Sequence, residues 1–393
     1  MIDKLKRLFV LHFFNDGFLA SMILLLPFIK KDLNLTLTNI GFLTALLSIS
    51  GIILSLPAGY LGHKFGGLKI LSLALLFYGA GFISVGFSPT YWFLILSFLI
   101  AALGFGIFHP IAFSLVAKWT DPKNIGRAMG DFTAIGDIGR IAISSSITFI
   151  IVAIGWKNTA FSYGFLAFLF LFLIFIFRKN NNIPSPEEKK ISMNMWQIMK
   201  NKKFIYALLT NFFDNLASSA ILIFLPFLLL KRNISPSFLG LFTSAFLVGN
   251  LIGKTGLGRL ADKFKNTTVF IVAEFFMAVF IFLLTTAQTQ FLIIFYSIIL
   301  GVLTAGTIPV RSTMISESTK HHQQYEKVFA IASLIATTAT SLAPIILGSV
   351  ADMYGIINSF YTAAAFALLA LVPAFLFSLQ KNSDLNLPIM RSS

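Results

Sequence analysis

Three side chains near the start of the chain carry proton chemistry at a helical spacing. His12, Asn15 and Asp16 stand at i, i+3 and i+4. That puts an imidazole, an amide and a carboxylate on one face of a helix. The pattern returns as Asn211, Asp214 and Asn215. Two readings of these trios are open: they bind a proton or a solute, or they form a hydrogen-bonded cluster that holds helices together. An imidazole titrates near neutral pH and can relay a proton to a carboxylate, so His109, which precedes Pro110, is a further candidate. Arg311 follows Thr304 and Thr307 at helical spacing. Its guanidinium stays charged and suits a carboxylate or phosphate. It has three possible engagements: an anionic solute, a pair with Asp16 or Asp214, or the aqueous interface. Asp137 and Arg140 stand at i and i+3, with Thr133 and Ser144 on the same face. They can neutralise each other, as a structural or gating pair, or they can contact solute.

The elements that must position these groups are apolar helices. Of 393 residues, 57% are hydrophobic and only 11% charged, where soluble domains carry about 25% charged residues. The solvent for such a chain is lipid, and only helices or closed barrels satisfy their backbone there. The apolar runs are continuous and not alternating, which excludes a β-barrel. A span needs roughly 20 apolar residues. Twelve spans are predicted at 8–29, 37–61, 68–88, 90–115, 128–154, 158–177, 204–230, 236–260, 267–286, 290–313, 327–350 and 357–379. The opening segment is read as an uncleaved first span and not a signal peptide: its run is long, contains His12, Asn15 and Asp16, and lacks a small-residue cleavage site.

The net charge is +15, but the basic residues recur between apolar runs instead of forming a patch. That argues against nucleic acid as a partner. On one side of the predicted membrane lie 22 of the 30 Lys and Arg residues, including Lys4, Lys64, Lys118, Arg178, Arg259, Lys320 and Lys381. On the other lie five: Lys30, Lys31, Lys157, Lys231 and Arg232. Basic loops stay inside, so both termini are expected in the cytoplasm and the protein in the cytoplasmic membrane. There is no cysteine, which removes disulfides and thiolate metal sites. No metal or other cofactor is implied, and His321-His322 lacks a third ligand nearby. No phosphate-binding Gly-rich Lys-Ser/Thr loop occurs, so nucleotide hydrolysis by this chain is excluded. An enzyme is not expected.

A polar stretch, 178–203, divides the chain into an N-terminal bundle of six helices at 1–177 and a C-terminal bundle with a short tail at 204–393. The halves are repeats at a constant offset of 199: Phe13-Phe14 with Phe212-Phe213, Pro27 with Pro226, Gly41 with Gly240, Gly59 with Gly258, Lys64-Phe65 with Lys263-Phe264, Pro110 with Pro309. An even number of spans in each half makes the copies parallel.

The loop after the second span reads Gly59-Tyr60-Leu61-Gly62-His63-Lys64-Phe65-Gly66-Gly67-Leu68-Lys69. It resembles the loop signature of major facilitator transporters, Gly-x-Leu-Ala-Asp-Arg-x-Gly-Arg-Lys. A second copy follows the eighth span as Gly258-Arg259-Leu260-Ala261-Asp262-Lys263-Phe264. The resemblance implies an all-α membrane fold of 12 helices in two parallel six-helix repeats, with spans one, four, seven and ten lining a central cavity and span five packed near span eight, which would bring Lys254 close to Asp137 and Arg140. It also implies a gating role for the two loops, in which charges such as Asp262 latch neighbouring helices; His63 stands at the acidic position of the first copy. His12-x-x-Asn15-Asp16 with Phe108-His109-Pro110 is further similar to the fosmidomycin-resistance group of drug exporters, although Ile111 stands where that group has Glu. The function so implied is secondary active transport by alternating access: proton-coupled export, as an antiporter, of a small drug-like or anionic solute. Uptake of a sugar or organic acid is the alternative, and a membrane sensor or assembly partner the alternative of another class. The protein is expected to work as a monomer, with solute, protons and the bilayer as partners.

Overall fold

The computed structural model describes residues 2–121, 124–176, 199–318 and 325–380. Most of the predicted 178–203 linker and the tail beyond 380 therefore lie outside the described residues. The first half contains α1 (Ile2–Asp32), α2 (Leu37–Phe65), α3 (Gly67–Phe87), α4 (Tyr91–Trp119), α5 (Ile125–Ile154) and α6 (Trp156–Ile176). The second contains α7 (Lys202–Ser218), α8 (Ile221–Lys231), α9 (Leu239–Lys263), α10 (Asn266–Thr286), α11 (Gln290–Glu317), α12 (Tyr325–Tyr354) and α13 (Ile356–Leu379). Eleven helical segments among the described residues are long and apolar enough to cross a membrane, α7 and α8 counting as one. The twelfth, α6, is 21 residues long and runs along α3.

Each predicted span meets a helix, with one correction. The seventh, read as continuous from 204 to 230, breaks at Ser219–Ala220. The Asn215 amide donates to the Asn211 carbonyl, and the Ser219 hydroxyl donates to the Asn215 carbonyl. These side chains compete with backbone donors for the same acceptors and loosen the helix. Pro226, one turn into α8, supplies no N–H for its own i−4 bond.

Packing repeats between the halves. In the first bundle α1 lies on α5, α2 on α4 and α3 on α6; in the second α7 lies on α12, α9 on α11 and α10 on α13. The fifth span of each half ends at a glycine in the left-handed region, Gly155 (φ 82°) and Gly355 (φ 90°), where a side chain would be strained.

The bundles meet along two seams, α2 against α12 and α5 against α9. Both seams are tightest at the helix ends farthest from the chain termini. There Gly41 lies against the Pro344 carbonyl, and Gly240 lies against the carbonyls of Ser144 and Ser145. Pro344 and Ser145 are related by the offset of 199, so the repeat extends to the contacts between bundles. At the opposite end Gly59 and Gly130 have nothing near the place a Cβ would take, and Tyr60, Phe65, Leu260 and Phe264 are exposed. The bundles part toward the end that carries the two loops.

Candidate transport site

α1 carries its trio on the face that packs against α4 and α5. His12, Asn15 and Asp16 are all buried, and Gly136 on α5 leaves the space that the His12 ring and Asp16 carboxylate occupy. Asp16 is the centre of the cluster. Its Oδ2 lies 2.6 Å from Arg140 Nη2. Its Oδ1 accepts from Asn15 Nδ2 at 3.0 Å and lies 3.5 Å from His12 Nε2 and 3.4 Å from His109 Nε2.

His12 is held so that its chemistry is one-sided. Its ring stacks on Phe132 with centroids 3.9 Å apart and lies nearly parallel to the Phe108 ring, 5.6 Å away. Its Nδ1 sits 2.8 Å from the Phe132 carbonyl. A carbonyl only accepts, so Nδ1 carries the hydrogen. In the neutral ring Nε2 then presents a lone pair to Asp16, and only a second proton turns that contact into a donated bond. His109 approaches the same oxygen from α4 with a side chain 24% exposed, ahead of Pro110 within the helix.

Arg140 was expected to neutralise Asp137, three residues away. It does so loosely, at 3.6 Å, and prefers Asp16. Asp137 takes its close partner from the other bundle: Lys254 Nζ on α9 donates to its Oδ2 at 2.5 Å. His12 and His109, Asp16, Arg140, Asp137 and Lys254 thus form one connected series that starts inside the first bundle and ends on the second. Counting neutral imidazoles, its two carboxylates and two cations sum to zero.

The second bundle builds a different centre. Asp214 is fully buried. Its Oδ1 accepts from the Thr307 hydroxyl at 2.9 Å, and its Oδ2 pairs with Arg311. Of the three engagements open to Arg311, the pair with Asp214 is the one found. Thr304 extends the arrangement to Asn250 on α9. Asn211 and Asn215 are turned to structure: Asn211 Nδ2 donates to the Ala332 carbonyl on α12, and Asn215 binds back to Asn211.

Among the described residues, the loop charges show no latch to a neighbouring helix. Arg259, Asp262 and Lys263 are exposed, and among the described residues none of them has an ion-pair partner. Lys64 lies over the rings of Tyr60 and Phe65, and a Cβ at Gly258 would meet the Pro309 ring. The His63 side chain lies outside the described residues.

His12, Asp16 and His109 bring three ligand atoms within 4.8 Å of one another, a spacing that sequence reasoning did not single out as a metal set. The Arg140 guanidinium on the same carboxylate already supplies a cation there. Sequence reasoning also missed the ring stacking on His12: Phe108 stood out only as part of Phe108-His109-Pro110, and Phe132 carries no signal that separates it from the other phenylalanines.

Two like-oriented helical bundles, joined along two seams and carrying paired acids and guanidiniums inside, define a polytopic membrane carrier. The chain belongs to the Major Facilitator Superfamily, whose family model matches residues 8–217 and 207–389. It is therefore a multi-pass membrane transporter and not an enzyme. An uncharacterized MFS-type transporter of Methanocaldococcus jannaschii is 23% identical over 370 residues, covering 92% of this chain and 93% of that one. The probable nitrate transporter NarT of Staphylococcus epidermidis is 27% identical over 263 residues, covering 65% of this chain and 66% of NarT. In fold, the chain is similar to a bacterial homolog of the human lysosomal transporter Spinster in an inward-facing, unoccupied conformation (TM-score 0.77, 13% identity, 95% of this chain and 96% of that one). It is also similar to the nucleoside transporter NupG (TM-score 0.76, 15% identity, 95% and 98%).

Proposed function

We propose that the chain is a secondary active transporter that moves a small anion together with a proton across a cytoplasmic membrane, by alternating access between the two bundles. The observation that carries this reading is that Asp16 and a solute would compete for one guanidinium. While Asp16 is ionised it holds Arg140 at 2.6 Å. A proton delivered through His109 and His12 neutralises Asp16 and frees Arg140 for an anion.

Charge bookkeeping supplies the coupling. The series Asp16, Arg140, Asp137, Lys254 is neutral when empty, and neutral again when proton and anion are both bound. With one bound and not the other it carries a net charge in a low-dielectric interior, where an unpaired charge is strongly disfavoured. Closed, crossing states therefore form only when both are present or both absent. This is symport. With protons entering down their gradient it favours uptake, the alternative in the sequence reading, over export by exchange. The NarT relatives, named as probable transporters of an inorganic anion, support the charge of the solute. Arg311, already matched by Asp214, serves as a second basic post on the facing bundle.

With both termini in the cytoplasm, the conformation described here opens inward. Asp262 and its neighbours are then free because their latch belongs to the outward-open state. The functional unit in this reading is one chain.

Proteoliposomes with a trapped pH dye test the proposal. Nitrate and small organic acids are added outside, and proton entry is followed. The wild type acidifies the lumen only with a transported anion, Asp16→Asn abolishes that acidification, and Glu274→Gln, a buried acid away from the series, keeps it. Proton exit on anion entry, or full coupling in Asp16→Asn, would refute symport at this site.

A further inference from the structure

α2 has two caps, and one of them belongs to the other bundle. The first N–H groups of a helix have no partner within it. Thr36 covers one of them, accepting from the Asn39 N–H at 3.0 Å, and Asn39 returns a bond to the Thr36 N–H. The N–H groups of Leu37 and Thr38 are covered by Asp352, at the end of α12. Its Oδ1 accepts from Leu37 and its Oδ2 from Thr38, each at 2.7 Å, and the Thr38 hydroxyl adds a third bond at 2.6 Å. A carboxylate at a helix N-terminus also meets the positive end of the helix dipole. The close approach of Gly348 to the Leu37 carbonyl, one turn before Asp352, sets the two helices near enough for these bonds.

At the same end, the corresponding seam in the second copy is held by neutral groups, its Asp137–Lys254 pair lying about four turns farther along α9. There Thr148 on α5 accepts from the Gly240 N–H at 3.0 Å and donates to the Ser237 carbonyl at 2.7 Å. The position 199 before Asp352 is Ala153. At this end one seam is therefore closed by a carboxylate and three donors, the other by a single hydroxyl.

We propose that Asp352 is a positioning residue for the transport cycle: it completes the α2 cap across the bundle interface only while this end is shut, and so sets the balance between the two conformations of the carrier. When the bundles part here, the carboxylate and the first N–H groups of α2 both return to water. The α2–α12 seam is then the edge that controls opening at this end, where the α5–α9 seam gives up only the neutral bonds of Thr148. The inference is independent of the solute and of the Asp16 site, which lies deeper in the first bundle.

Pulsed electron-spin distance measurements in lipid nanodiscs test it. The chain has no cysteine of its own, so labels go directly onto cysteines placed at Lys31 and Asn358, exposed residues at this end of the two bundles. The wild type shows a dominant short distance. Asp352→Ala lowers the ratio of short to long distances about five- to tenfold, the scale of a lost charged cap, and Asp352→Glu recovers part of it. Thr38→Val removes only the hydroxyl donor and lowers the ratio about two- to threefold. A second label pair at Lys31 and Lys157, both in the first bundle, reports on folding and stays unchanged. An unaltered ratio in Asp352→Ala, or a change in both label pairs together, would overturn the assignment.

Discussion

The two bundles bury a carboxylate at almost the same place and treat it in opposite ways. By the repeat offset, Asp16 matches Asn215 and Asp214 matches Asn15, so acid and amide exchange adjacent positions. The residue one turn earlier keeps a shared structural task. His12 bonds to the carbonyl of Phe132 on α5, and Asn211 bonds to the carbonyl of Ala332 on α12. Only the imidazole has a second nitrogen that can then take a proton toward the acid. Asp16 accordingly sits among two histidines and an arginine that it shares with Asp137, whereas Asp214 has one hydroxyl and one arginine of its own. A duplicated scaffold has kept its backbone bonds and divided its chemistry. One half carries a titratable, exchangeable cluster; the other a fixed pair.

That contrast is most exposed by neutralising each acid and measuring thermal unfolding of the purified protein. Asp214→Asn leaves a nearly buried Arg311 without its counter-ion and is expected to cost about 3–5 kcal/mol. Asp16→Asn should cost clearly less, because Arg140 keeps Asp137. Replacing both members of the second pair, as Asp214→Leu with Arg311→Met, should recover most of the loss. Equal losses for the two single variants would erase the distinction between fixed and exchangeable. A subtler probe makes the first half resemble the second. His12→Asn preserves the bond to Phe132 while removing the second proton site. Proton entry driven by the anion should slow, with His109 left as the relay; coupling identical to the wild type would remove His12 from the proton path. The smallest effect belongs to Thr307→Val, which deletes one hydrogen bond to Asp214. About 1 kcal/mol of stability should be lost, with the ratio of protons to solute untouched.

Much of this architecture could be read from the chain. Span positions followed from apolar runs, and the offset of 199 reached as far as Gly41 and Gly240, which turn out to touch equivalent carbonyls across the interface. Helical spacing put His12, Asn15 and Asp16 on one face, and the expected neighbourhood of Asp137 and Lys254 became a contact. What periodicity could not supply was distance between helices. Arg140 looked committed to Asp137 because i+3 spacing is visible in sequence, while its shorter contact with Asp16 depends on how closely Gly139 lets α5 approach the Phe13 backbone. Asp352 escaped notice for the same reason: an acid near a loop is unremarkable until its donors, more than 300 residues earlier, are folded against it. The break at Ser219–Ala220 was hidden because each of its causes is a common residue in an apolar run.

The zero sum of charge along Asp16, Arg140, Asp137 and Lys254 has an electrical consequence under the proposed symport. A monovalent anion and a proton cross together as nothing, and the empty carrier returns as nothing. Such a machine is blind to membrane voltage and draws only on the difference in acidity. Short-circuiting the potential with a potassium ionophore should leave its rate unchanged, and a cell could run it at full speed with its membrane depolarised.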